Sequence, residues 1–403
     1  MTICLDKEKN LIEQNGKFFF SILLILLWGQ HTLYNYVLVI FKSLPIINYF
    51  AEFIFPVCVI VCIILALPYF IKCLTTKDYL FFLIALSIAL LNFFIYPQTS
   101  EYLELEFFRI LGVLAFFFIG RCFDLEQNKK ILFWLSLIGV FVAFLYQAYS
   151  LSSGKDISVD NMDAAYKILP SVFFLIYYAV MQKKIIYWLI SVPGIILEFR
   201  YGTRGTILCI IIFLSIITCV SIFKEKNKIK KLVGFVIIAL VVYLVCFTDL
   251  LLNIAIFLSE SFSDSGYSTR IFDFFIEGTI NESKGRENIS KRIVEAILGG
   301  PVFGYGSLGD RIIPDGSYTH NIVLELCCQF GIILGVVLFI ALLSLIFNRI
   351  IKSDDRKVRM FIVMMTIMVL VKLMLSSSYL YETWLFFLLG ICFQSIGKRN
   401  RIS

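Results

Sequence analysis

The sequence has little charge and almost no histidine. Of its 403 residues, 16% are charged, 60% are hydrophobic and two are histidine. An ordinary soluble domain is about half apolar and about a quarter charged. Together with a mean hydropathy of +0.89, this composition excludes an ordinary soluble fold and predicts a chain that crosses a membrane several times.

The 11 cysteines form neither a disulfide framework nor a metal-binding pattern. No CxxC pattern occurs, and the adjacent Cys327 and Cys328 with one nearby histidine make a poor zinc ligand set. Six other cysteines lie inside apolar runs, where cysteine behaves as a small hydrophobic residue: Cys58, Cys62, Cys209, Cys219, Cys246 and Cys392. We therefore expect no metal site and no cofactor. The net charge of +7 is modest and gives no indication of nucleic-acid binding.

The apolar residues form runs of membrane-spanning length. About 20 apolar residues cross a bilayer as a helix, and the sequence predicts an all-α integral membrane protein with about twelve spans. The predicted spans are residues 18–41, 46–71, 78–96, 105–121, 131–150, 166–182, 185–199, 205–223, 232–258, 321–348, 359–377 and 379–396. The first 17 residues are polar and the run after them has full span length, so we expect no cleavable signal peptide.

Lysine and arginine concentrate in alternate short loops. Basic loops at 72–77, 121–130, 183–184, 224–231 and 349–359 alternate with loops such as 97–104 and 151–163. Because basic loops stay in the cytoplasm, we expect both termini to be cytoplasmic and the polar segment 259–320 to face the other side. The predicted parts are a bundle of nine spans (1–258), an outer loop (259–320), and three spans with a cytoplasmic tail (321–403).

The outer loop 259–320 is not uniformly basic, because six Lys and Arg residues are set against nine Asp and Glu residues. Its apolar residues recur at helical spacing in 270–277 and 288–298. This pattern predicts two short amphipathic helices at the membrane interface. Gly299-Gly300-Pro301 is expected to end the second helix.

Three residues near predicted span ends are candidates for chemistry. His320 ends the outer loop, and imidazole can accept or donate a proton near neutral pH. The alternative is a helix-entry histidine that backbone groups satisfy. Arg200 and Arg204 lie at an outer turn, where guanidinium groups suit phosphate oxygens; the alternative for both is snorkelling toward lipid headgroups.

Other charged residues have structural interpretations as well as functional ones. Arg286 and Arg292 can bind an anion or pair with nearby glutamates, and Arg311 is expected to be structural because aspartates lie close to it in sequence. Inside predicted spans, Arg109 and Lys372 need a partner or a cavity. For Arg109, pairing with a glutamate of the preceding turns is plausible, and either residue could line a path for a lipid phosphate.

Three short motifs occur in a fixed order around the outer loop. They are Thr203-Arg204-Gly205 opening a span, Gly285-Arg286 followed by Gly304-Tyr305-Gly306, and His320-Asn321 opening the next span before Gly331 and Gly335. In order and topology these motifs resemble the O-antigen polymerase and O-antigen ligase superfamily of bacterial lipid-linked glycan transferases. The resemblance covers roughly residues 200–335.

The resemblance implies a GT-C-like glycosyltransferase of the bacterial inner membrane that works on the periplasmic side without a metal. Donor and acceptor would be oligosaccharides on undecaprenyl pyrophosphate, and a flippase and a chain-length regulator would be partners. Carried over to this sequence, Arg204 and Arg286 hold the pyrophosphate. His320 acts as general base on the acceptor hydroxyl, and Asn321 orients it or the sugar. Four further residues are expected to bind substrate: Arg200, Arg270, Arg292 and Tyr318.

Two other functions stay open at this point. An O-antigen ligase shares the motifs and moves the finished glycan to lipid A–core; the resemblance around residues 318–325 favours the polymerase. A flippase or other transporter is a different class, which the number of spans and the intramembrane Arg109 and Lys372 allow. Transporters often carry internal repeats, and the two halves of this chain show no convincing repeat.

Overall fold

The architecture is described from a computed structural model that covers residues 2–29, 54–152, 161–201, 203–224, 256–257, 259–261, 286–313 and 318–394. Within these ranges the chain forms helices and turns and no strand. The expected loop helix at 270–277, Arg270 and nearly all of the expected span 232–258 lie outside the described residues.

The described residues form thirteen α-helices. The N-terminal part contains α1 (Thr2–Gly29), α2 (Phe55–Cys73), α3 (Thr76–Ile95), α4 (Ser100–Cys122), α5 (Leu125–Ser152), α6 (Asn161–Gln182), α7 (Ile185–Tyr201) and α8 (Arg204–Lys224). The C-terminal part contains α9 (Arg286–Gly299), α10 (Ile322–Phe330), α11 (Ile332–Lys352), α12 (Arg356–Leu375) and α13 (Thr383–Cys392). The expected second loop helix, 288–298, lies within α9.

Several helices have the length and composition of membrane spans. Five described segments qualify: Leu125–Gln147, Met162–Gln182, Gly205–Phe223, Ile332–Lys352 and Arg356–Leu375. The number rises to six if the bent pair Val57–Cys73 and Thr76–Ile88 counts as one span. The chain is thus a multi-pass helical membrane protein, and the figure of twelve spans stays a prediction.

A buried ion pair ties the start of α3 to the end of α4. The Asp78 carboxylate accepts hydrogen bonds from the backbone N–H and the hydroxyl of Thr75, both at 2.7 Å, and so caps α3. It also accepts from Nε and Nη2 of Arg121 at 2.5 and 2.7 Å. Such a bidentate pair is strong and has a defined geometry. It therefore holds the start of α3 and the end of α4 at a fixed separation.

Helix α13 packs directly against α4 because each helix presents a glycine at the contact. A Cβ atom on Gly120 or on Gly390 would overlap a backbone carbonyl oxygen of the other helix. Small residues allow this close approach between membrane helices. Trp384 of α13 also reaches Trp28 of α1, with ring centroids 5.0 Å apart. These contacts anchor residues 376–382, the α12–α13 turn, against the bundle.

The sequence predicts one helix over 321–348, but the structure breaks this run at Gly331 into α10 and α11. Gly331 has a φ of +79°, and a Cβ atom there would overlap the Val302 carbonyl oxygen. Only α11 has the length and hydropathy of a span, so α10 precedes the membrane-spanning segment. The last expected span, 379–396, is also shorter, because Tyr379–Tyr381 forms a 3-10 turn before α13.

Candidate active site

The glycines of the Gly304-Tyr305-Gly306 motif let the outer loop dock on the end of α10. The N–H groups of Tyr305 and Gly306 donate to the carbonyl oxygens of Cys328 and Gln329, each at 2.9 Å. The last carbonyls of a helix have no partner within it, and here the loop supplies one. Gly304 and Gly306 have φ of +72° and +82°, a conformation that glycine adopts without steric cost.

Asn321 begins α10 as its N-cap residue. Its Oδ1 atom accepts hydrogen bonds from the N–H groups of Val323 at 2.9 Å and Leu324 at 3.2 Å. This satisfies two of the helix N–H groups that otherwise lack a partner. The amide oxygen is thus engaged in capping, which leaves the amide nitrogen as the atom suited to the expected orienting role.

His320 lies in a sharp turn immediately before this cap. Its φ is +57°, a left-handed conformation that is uncommon for a residue with a side chain, although histidine is enriched there. The neighbouring Thr319 is buried, and its hydroxyl donates to the Asn321 carbonyl oxygen at 3.1 Å. The turn leaves His320 half-buried at the N-terminal end of α10.

Tyr318 packs its ring against His320, with the two ring centroids 4.1 Å apart. The Tyr318 hydroxyl donates to the carbonyl oxygen of Ser376 in the α12–α13 turn at 3.1 Å. The guanidinium carbon of Arg311 lies 5.2 Å from the centre of the Tyr318 ring, within cation–π range. Tyr318 therefore links His320 to the α12–α13 turn and to Arg311.

Arg311 belongs to a fully buried polar cluster behind Tyr318, consisting of Asp310, Arg311, Glu325, Gln329 and Ser378. Its guanidinium pairs with the Asp310 carboxylate, donates to the Ser378 hydroxyl at 3.0 Å, and lies 3.5 Å from a Glu325 oxygen. The structural role expected for Arg311 is thereby confirmed. Arg311 and Ser378 are 67 positions apart, so the cluster joins the outer loop to the α12–α13 turn.

The other members of the cluster complete its hydrogen bonds. Glu325 accepts from the Ser378 hydroxyl and from the Tyr379 N–H at 3.1 Å. Gln329 donates to Asp310 at 2.6 Å and accepts from the Tyr379 hydroxyl, also at 2.6 Å. Burial raises the pKa of Asp310. Burial and the nearby Asp310 charge raise the pKa of Glu325 to about 8. One guanidinium thus faces two carboxyl groups, and the pKa of each carboxyl lies above its ordinary value.

The Thr203–Gly205 turn lies beside the end of α12, next to the α12–α13 turn. The position of a Cβ atom on Gly205 would overlap the Tyr166 hydroxyl and would lie 3.7 Å from a Leu375 methyl carbon. The Tyr166 ring in turn lies 5.3 Å from the Lys372 ammonium. Since Leu375 directly precedes Ser376, the start of α8 and the Tyr318–His320 pair flank the same short segment.

The expected arginines occupy three helices. Arg200 is half-buried in the last turn of α7. Arg204 and Arg286 begin α8 and α9, and their side chains lie outside the described part of the structure. Arg292 is exposed on α9 and donates to the Ile313 carbonyl oxygen within the outer loop. Arg270 lies outside the described residues.

The two cations that the sequence places inside predicted spans, Arg109 and Lys372, have acidic partners. Arg109 lies 3.6 Å from Glu106, which confirms the expected pairing with a preceding glutamate, and 4.0 Å over the Tyr381 ring. Lys372 pairs with the buried Glu382 at 2.7 Å. Arg109 through Tyr381, and Lys372 through Glu382, thus both contact the α12–α13 turn.

Sequence reasoning missed this turn as part of the site. Its signal was the polar run Ser376-Ser377-Ser378 followed by Tyr379-Leu380-Tyr381-Glu382 between two apolar runs. Where side chains are described, no three His, Cys, Asp or Glu residues are grouped so as to hold a metal ion. The groups around the α12–α13 turn thus include the imidazole of His320, the stacked Tyr318 and Arg311, and the N-terminal end of α10.

The fold and site define a multi-pass helical membrane protein whose polar centre is built around the α12–α13 turn. Residues 189–340 match the family model described as O-antigen ligase. The match covers less than half of the chain and supports its resemblance to the O-antigen polymerase/O-antigen ligase superfamily. It includes Arg200, Arg204, Arg286 and His320. No curated protein and no solved structure shows a significant match.

Proposed function

We propose that this protein is an O-antigen, or surface polysaccharide, polymerase. It joins repeat units carried on undecaprenyl pyrophosphate by glycosyl transfer on the periplasmic face of the inner membrane. The observation that carries the proposal is that Tyr318, which packs against His320, and Gly205, at the start of α8, both lie beside the α12–α13 turn. Both residues belong to the segment that matches the family model.

In the proposed reaction the acceptor hydroxyl oxygen attacks the anomeric carbon of the donor sugar. The bond between that carbon and the phosphate oxygen breaks, and its electron pair leaves with undecaprenyl pyrophosphate. His320 takes the proton of the hydroxyl, a type of contribution commonly worth about a hundred- to ten-thousandfold in rate. Arg204 and Arg286 stabilise the charge that develops on the leaving pyrophosphate, an effect strongest where water is excluded.

The local structure suits a substrate with a lipid tail and a sugar head. His320 stands just before α10, and the span α11 begins only after the break at Gly331. His320 thus precedes the N-terminal end of span α11 in the chain, and we expect the lipid-anchored pyrophosphate to lie at that end. With both termini in the cytoplasm, as the distribution of Lys and Arg indicates, this end is the periplasmic one.

The second candidate is an O-antigen ligase, which the description of the matching family model favours. Ligase and polymerase share the donor, the base and the pyrophosphate contacts, and differ in the acceptor. For the ligase, the acceptor is lipid A–core.

Deletion and complementation separate the candidates. Loss of a polymerase leaves lipopolysaccharide with a single repeat unit on a gel, whereas loss of a ligase leaves none. Wild-type protein restores the full ladder, and His320→Ala and Arg286→Ala proteins at normal levels do not. Tyr305→Phe is a matched control, since it removes a hydroxyl that donates to Ala296 in the same loop. Full-length polymer from the His320→Ala and Arg286→Ala cells would refute the enzyme and leave a transporter.

A further inference from the structure

Tyr318 is held by several contacts, and its ring packs against His320. Its hydroxyl donates to the Ser376 carbonyl oxygen at 3.1 Å, and the Tyr381 ring meets it nearly edge-on at 86° with centroids 6.2 Å apart. Arg311 lies 5.2 Å from its centre. Edge-on aromatic pairs and cation–π contacts fix the position of a ring as well as stabilising it.

Arg311 can fix Tyr318 because Arg311 is itself immobilised. It is 2% exposed and bonds Asp310 and Ser378 within the buried cluster. Arginine presents its donors in a rigid planar fork, so two such bonds set the plane of the guanidinium. The rigid cluster behind Tyr318 therefore determines where the Tyr318 ring lies.

The imidazole of His320 meets the other end of this arrangement. The rings of Tyr318 and His320 are inclined at 52° with centroids 4.1 Å apart. The backbone of His320 is in the left-handed region, with φ at +57°. The ring contact with Tyr318 restricts how the imidazole can rotate.

We propose that Tyr318 is a positioning residue for His320, and that the Arg311 cluster is the fixed support on which Tyr318 rests. This inference rests on the proposed function of His320 as general base. It departs from the sequence-based expectation that Tyr318 binds substrate. Loss of the Tyr318 ring should lower kcat and leave KM nearly unchanged, because displacing a reacting group by about 1 Å can cost about a hundredfold in rate.

The test uses purified full-length protein and the lipid-linked glycan that accumulates in cells lacking it, with and without lipid A–core from those cells. Initial rates over a range of glycan concentrations give kcat and KM. Tyr318→Phe keeps the ring and loses the hydroxyl, whereas Tyr318→Leu loses the ring. Tyr318→Met is a second ring-removing variant in case Tyr318→Leu protein does not accumulate. Tyr305→Leu, which removes another loop tyrosine bonded to a backbone carbonyl, is the matched control.

The expected result is a kcat lower by about tenfold to a hundredfold in the ring-removing variants, with KM within about threefold of wild type. Tyr318→Phe and Tyr305→Leu should retain most of kcat. The inference is overturned if ring removal raises KM at constant kcat, which would make Tyr318 a substrate contact. It is also overturned if Tyr318→Phe lowers kcat as much as Tyr318→Leu does. Wild-type activity in His320→Ala protein would instead overturn the proposed function. This outcome differs from the two that overturn the role of Tyr318.

Discussion

Replacing Arg311 with methionine should destabilise the protein in a pH-dependent way. Arg311→Met keeps most of the side-chain volume and removes the guanidinium that faces Asp310 and Glu325. Removing one partner of a buried ion pair costs about 3–5 kcal/mol, since it leaves uncompensated buried charge. For a chain of 403 residues, the entropy of unfolding per residue implies that each kcal/mol of lost stability lowers the unfolding midpoint by about 1 °C. We expect the unfolding midpoint in detergent at pH 8 to fall by about 4 °C.

The sign of the pH effect follows from the pKa of Glu325, which burial raises to about 8. An acid whose folded pKa lies above its unfolded value near 4.3 binds its proton more tightly in the folded state. Its favourable contribution is complete below the unfolded pKa and is lost as the pH rises through the folded pKa. Without the Arg311 cation, the folded state depends more strongly on protonation of Glu325. The loss of stability in Arg311→Met, relative to wild type, should therefore be smaller at pH 5 than at pH 8.

Thermal unfolding of detergent-solubilised protein, followed by circular dichroism at pH 5 and pH 8, checks this prediction. Adding Glu325→Gln to Arg311→Met removes one buried carboxylate and should recover part of the stability at pH 8. Arg292→Met, which changes an exposed arginine of the same loop, should have little effect. An equal deficit at both pH values, or no recovery in the double variant, would show that the reasoning about charge in the cluster is mistaken.

Two glycine substitutions test other contacts. Gly331→Ala should lower the amount of folded protein, because the added Cβ would overlap the Val302 carbonyl oxygen and the backbone φ there is +79°. Fluorescence-detected size exclusion measures this amount. Gly299→Ala is the control and should leave it unchanged, because a Cβ atom there has open space around it. Gly205→Ala should reduce polymer length on the gel by pushing Tyr166 from its position. Tyr166→Phe, which removes the overlapping hydroxyl, should restore part of the length, and no restoration at all would mean that the overlap is not the cause.

The spans that hydropathy determines were predictable from the sequence. The run 359–377 appears as α12, Arg356–Leu375, and the run 205–223 appears as α8, Arg204–Lys224. In both cases a continuous apolar stretch forms the helix without requiring a particular tertiary neighbour. The match of residues 189–340 to the family likewise agrees with the three short motifs.

The features set by distant contacts were not predictable. The break at Gly331 depends on the Val302 carbonyl, which the outer loop brings to that position, and a hydropathy pattern does not report such a contact. The buried cluster depends on Ser378 meeting Arg311 across 67 positions. Asn321 was expected to face the reaction, and its capping of α10 becomes evident only once the helix start is known.

The central claim is that this protein transfers a glycan from undecaprenyl pyrophosphate with His320 as the base. Its most direct test is to incubate the purified protein with the isolated lipid-linked glycan and to quantify lengthened glycan and released undecaprenyl pyrophosphate together. The account predicts that both appear in equal amounts with wild-type protein, and that His320→Ala protein of equal stability forms neither. Release without lengthening, or equal product from His320→Ala, would contradict it.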